Sequence, residues 1–123
     1  MPVNREELVN LFEIREDPLR CSHNALILTS WYDTVMITVR IVLYEFSSHV
    51  SMEITSMMIL PESSTGNGFG SLALKKLLAW AKRSEIVQIK AIEVLTPNEN
   101  FWIQNGFIRA GNTSNDFYLA QPS

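Results

Sequence analysis

One stretch constrains this chain more than any other. In MMILPESSTGNGFGSLALKKLLAWAKR, Met57 to Arg83, an apolar run halts at a proline, crosses a polar loop with alternating glycines and enters a helix. Leu74, Leu77, Leu78 and Ala81 recur at i, i+3, i+4 and i+7, and the basic residues fall mostly off that stripe, so the helix is amphipathic. It needs an apolar surface to lie on, and the residues before it predict a sheet. Ala25–Trp31, Thr34–Phe46 and Val50–Leu60 are rich in β-branched and aromatic residues with short polar joints, the pattern of antiparallel neighbours.

The flanks complete the outline. NREELVNLFEIRED predicts a helix capped by Asn4, with Glu6 and Glu7 in its first turn, Leu8, Leu11 and Phe12 on one face, and Pro18 as its stop. VQIKAIEVL predicts a strand. NENFWIQNGF predicts a short helix closed by Gly106. Phe107–Ala110 and Phe117–Leu119 predict a hairpin around GNTSND. Helix, three strands, helix, strand, short helix and closing strands make an α+β domain with a mixed, mostly antiparallel sheet, spanning residues 1–123 as one unit.

Composition excludes some partners. A net charge of −3 with no basic block argues against a nucleic-acid partner. A single cysteine, Cys21, permits no internal disulfide and fits a reducing compartment. No apolar run nears the ~20 residues of a membrane span, and MPVNREELVN is too polar for a signal peptide, so a cytoplasmic protein without membrane contact is expected.

The glycine loop carries the chemistry. Gly66, Gly68 and Gly70 permit a bend in which successive N–H groups converge, and the helix that follows adds free amides and the positive end of its dipole. Such a nest holds phosphate; the alternative is a plain Gly-rich turn. A P-loop fails for want of its lysine. A dinucleotide fingerprint would use Gly66 and Gly68, with Glu93 as its ribose acid, but Ser71 stands where Gly or Ala belongs and the PESST joint is long.

The segment ITSMMILPESSTGNGFGSLALKKLLAWAKR resembles the acetyl-CoA segment of the GNAT (general-control-related N-acetyltransferase) superfamily, and IEVLTPNENFWIQNGF resembles its later strand, short helix and NGF-like turn. The resemblance implies a GNAT-like fold with a shortened N-terminal part. It also implies acetyl-CoA as co-substrate and transfer of acetyl to a primary amine by direct attack in a ternary complex. The diphosphate would sit on Thr65, Gly66, Asn67, Gly68, Phe69, Gly70 and Ser71, and the pantetheine arm along the backbone of Met58, Ile59 and Leu60. The strand before the loop would bulge and splay from its neighbour. No metal is implied.

Three departures stand out: Thr65 replaces the usual Gln or Arg, PESST is one residue longer than the common loop, and Trp102 stands in the context that often supplies a tyrosine acid. Thr65 and Trp102 favour a second possibility, a non-catalytic CoA-binding or interaction module. Tyr118 is then a candidate general acid. Glu53 is the candidate base, on a strand whose alternation would place Glu53, Thr55, Met57 and Ile59 on one face; it could instead be solvated or pair with Arg40. Lys75 and Lys76 either touch a nucleotide phosphate or are solvated. Cys21, His23 and His49 do not make a metal site. Two bare sheet edges would favour a homodimer. The amine could belong to a small molecule or a protein.

Overall fold

The computed structural model describes residues 5–19, 24–64 and 68–119. Asn4, Cys21, His23, Thr65, Gly66 and Asn67 lie outside them. A single sheet of seven strands runs in the order β1 (Glu13–Glu16), β2 (Ala25–Tyr32), β3 (Val35–Glu45), β4 (Val50–Leu60), β5 (Ile86–Ala91), β7 (Phe117–Leu119), β6 (Phe107–Arg109). All pairings are antiparallel except β4 with β5. The helices are α1 (Arg5–Leu11), α2 (Phe69–Arg83) and α3 (Glu99–Gln104).

The α+β outline expected from the sequence is present, with two corrections at the N-terminal end and in β5. The first predicted helix stops at Leu11, and Glu13–Glu16 pairs with Leu26–Thr29 as an edge strand. Only Ile14 of that polar strand carries an apolar side chain inward, so the strand exists through tertiary pairing and not through propensity. β5 ends at Ala91, short of the predicted Leu95, because the chain turns away there.

The apolar stripe of α2 behaves as its spacing predicts. Leu74, Leu77, Trp80 and Ala81 are fully buried in one cluster with Val39, Ile41, Met52 and Ile54 of β3 and β4. Trp102 of α3 joins the same cluster beside Phe107 and Phe117, and Phe12 joins it beside α1. All three helices therefore pack on one face of the sheet. Among the described residues no helix covers the opposite face.

On that opposite face Asp17, 3% exposed, receives hydrogen bonds from the Leu19 N–H at 2.9 Å and from Arg40 Nη1 at 3.2 Å. Arg40 is thus the partner of Asp17 and not of Glu53. Removing one member of a buried pair leaves the other uncompensated. Because Arg40 keeps some solvent contact, Asp17→Ala is expected to cost about 2–3 kcal/mol, seen as a Tm lower by roughly 10 °C in a thermal melt.

Candidate active site

β4 carries one residue too many. Arg40 of β3 faces Ser56, while the next residue, Ile41, faces Ile54, so Thr55 bulges out of the ladder. Its hydroxyl reaches the Arg40 carbonyl at 3.4 Å. The bulge breaks alternation: Met57 and Ile59, paired with Val39 and Ile37, point to the helix-bearing face with Ile54, whereas Glu53, paired with Val42, points to the open one. The expectation that Glu53 shares a face with Met57 and Ile59 is corrected on this ground.

Beyond the bulge β4 also loses its parallel neighbour. The β4–β5 pairing ends at Ile54 and Ala91, with a last bond from the Ile92 N–H to the Ile54 carbonyl at 3.1 Å. The next backbone donors go elsewhere. Glu93, at φ 53°, donates its N–H to Asp116 Oδ1 at 3.0 Å, and the Val94 N–H goes to the Asn115 carbonyl at 2.8 Å. β5 thus fastens to the β6–β7 loop while Ser56–Leu60 stays bonded to β3 only. The sheet opens as a V.

A cleft of about 690 Å³ fills that opening. One wall is β4 from Ile54 to Ile59; the other is Ile92 to Leu95 with Pro97, Phe101 and Trp102; Gly68, Gly70 and Ser71 lie at the start of α2. Gly68 takes φ 84°, a left-handed angle that permits the turn into α2, and a Cβ there would meet nothing within 4 Å. Among the described residues no side chain caps α2, so its first amides and dipole face this space. Gly70 is different: a Cβ would lie 3.2 Å from Ile59 Cδ1 and 3.3 Å from Phe101 Cε1. Glycine there lets α2 approach both walls. Asn105 ties α3 to the start of α2, donating from Nδ2 to Ser71 Oγ at 3.2 Å and to the Phe101 carbonyl at 2.8 Å. Phe101 meets Trp102 edge-on, and Trp102 meets Phe107 likewise.

Of the residues singled out in the sequence, Met58, Ile59, Gly68, Gly70 and Ser71 line this cleft. Leu60 does not, and Phe69 stacks on Tyr32 with centroids 5.6 Å apart. Glu53 sits one residue before the apex and accepts a hydrogen bond from the Tyr44 hydroxyl at 2.9 Å. Tyr118 is not in the cleft wall; it pairs with Lys90, which pairs with Glu53, so the three form a row on the open face. Lys76 is drawn away from any nucleotide: its ammonium donates to Ser30 Oγ at 2.7 Å and lies over the Phe12 ring. The wall from Ile92 to Leu95 escaped sequence reasoning, since it looked like the end of a strand.

This layout matches solved structures. The fold is of the GNAT type. Arabidopsis thaliana Naa50 in complex with the bisubstrate analogue CoA-Ac-MVNAL superposes with a TM-score of 0.61 and 16% identity, over 94% of this chain and 89% of that one. AtaTR bound with AcCoA gives 0.54 and 18%, over 77% and 65%, and the Y145F mutant of KacT 0.52 and 15%, over 76% and 68%. The chain thus spans about two thirds of the AtaT and KacT chains it matches. No protein-family model matches the sequence, and no curated protein matches it.

Gly70→Val puts branched carbons against Ile59 and Phe101. Overpacking of this kind is expected to cost about 1–3 kcal/mol in a denaturant titration, whereas Gly70→Ala, which adds one carbon and gains helix propensity, should cost less than 1 kcal/mol.

Proposed function

We propose that this GNAT-type domain is an acyl-CoA-dependent N-acetyltransferase that moves acetyl from acetyl-CoA to a primary amine by direct attack in a ternary complex. The observation that carries the reading is the unpaired stretch of β4 after Thr55, facing a cleft that ends at the uncapped start of α2. A peptide-like pantetheine arm can add to that strand edge through main-chain hydrogen bonds, and a diphosphate suits the α2 amides. Met58, Ile59, Gly68, Gly70 and Ser71, the sequence-assigned residues that line the cleft, would supply these contacts. The helix start fits the diphosphate; among the described residues no side chain caps it.

The amine approaches from the open face, which no described helix obstructs. Its nitrogen attacks the thioester carbonyl, the C–N bond forms, the C–S bond breaks, and the proton that the nitrogen sheds on becoming an amide passes through water to the departing thiolate. An ammonium with a pKa of about 10.4 must first lose a proton. Glu53 is the base in this reading: it stands beside the apex, on the approach side, oriented by Tyr44. Tyr118 lies on the same face two strands away and is the weaker candidate for an acid. The domain acts in the cytoplasm, and the bare edges of β1 and β6 would carry any self-association into a homodimer.

A second reading, a CoA-holding module without turnover, draws on one observation: no tyrosine is among the residues lining the cleft, and Trp102 is buried.

Thiol release from acetyl-CoA over a panel of primary amines separates the two. Turnover is expected, and Glu53→Gln should lower kcat about 100-fold while calorimetric affinity for acetyl-CoA is unchanged. Calorimetric binding without thiol release from any amine would favour the holding module, and absence of binding would remove both readings.

A further inference from the structure

Glu93 is the one ionisable side chain among the described residues that line the cleft. Its companions there are apolar or uncharged, from Met57 and Ile59 on one side to Val94 and Phe101 on the other. Its backbone holds φ 53°, a left-handed angle that costs a non-glycine residue about 1 kcal/mol or more and persists only when its surroundings enforce it.

The enforcement is visible. Asp116 Oδ1 accepts the Glu93 N–H, and the Asn115 carbonyl accepts the Val94 N–H. The accepting loop is braced in turn: the Asp116 N–H donates to Ser114 Oγ at 3.0 Å, and Arg109 Nη1 to the Ser114 carbonyl at 2.9 Å. The Glu93 carboxylate is exposed, and among the described residues no cation pairs with it. The clamp fixes where the Glu93 side chain leaves the backbone, and its carboxylate is the one negative charge among the described residues lining the cleft.

We propose that Glu93 recognises the acceptor, and that the acceptor carries a second positive charge. The reacting nitrogen enters between β4 and β5 while a second ammonium pairs with Glu93. The placement of the reacting nitrogen rests on the acetyl-transfer reading; the ion pair does not. Asp116 is a positioning residue, acting through the Glu93 N–H.

The test is an amide-resolved NMR titration of the whole chain with 1,4-diaminobutane and with butylamine at low salt, both with and without saturating CoA. The diamine should move the Glu93 and Val94 signals and bind about fivefold tighter than the monoamine, the range of a partly exposed ion pair. Raising the salt should shrink that preference. Glu93→Gln should abolish it. Glu93→Gly, which suits the left-handed backbone and removes the whole side chain, should abolish it equally. Equal binding of the two amines, a preference that survives in both variants, or diamine shifts confined to other strands would overturn the proposal. Failure to bind CoA would count against acetyl transfer alone, since the diamine titration of the free protein reads the ion pair without it.

Discussion

The site rests on a refusal of strand pairing. A sheet of this size is stabilised by continuous ladders, and backbone N–H and C=O groups withdrawn from them must find partners. Here the extra residue at Thr55 and the turn at Glu93 act in concert. The bulge re-aims the second half of β4, and the β6–β7 loop accepts the donors that β5 would otherwise have offered to it. Neither change alone suffices. A bulge with continued β5 pairing would leave a twisted but closed sheet, and a diverging β5 without Asn115 and Asp116 would leave the Glu93 and Val94 N–H groups without these partners.

Everything around the opening supports it without filling it. The α2 helix is pressed onto the sheet by a fully buried stripe ending in Trp80, yet its first turn is kept open by Gly68 and thin by Gly70. Asn105 links α3 to the start of α2, and the far wall is held by Trp102 between Phe101 and Phe107. Glu99 and Arg109 pair across the base of α3, tying it to the hairpin that anchors Glu93. The result is a braced cleft with single carboxylates placed at its rim and on the open face beside its apex.

Much of the fold could be read from the sequence, and the parts that could not have physical reasons. Strong patterns survived: the β-branched runs became β2, β3 and β4, and the i, i+3, i+4, i+7 stripe became α2. Glu13–Glu16 did not announce itself, because an edge strand with one apolar side chain has no periodicity to detect. The orientation of Glu53 was misjudged because alternation assumes an unbroken ladder, and nothing in the composition of ITSMM marks an extra residue at Thr55. Glu93 was noticed for its distance from the glycines and not for its real position, since a non-glycine left-handed residue is fixed by a loop more than 20 residues away. The glycine loop was legible as a place where backbone must bend, and Gly68 and Gly70 prove to have distinct tasks there.

Amide hydrogen exchange tests the central claim most directly. If β4 is open along one edge after Thr55 and receives an extended ligand there, acetyl-CoA should slow exchange selectively in Ser56–Leu60 and at the first turn of α2, leaving Val50–Ile54 unchanged. Exchange in Ser56–Leu60 already as slow as in Val50–Ile54, and unaltered by the ligand, would mean that the strand has no free edge and would contradict the account.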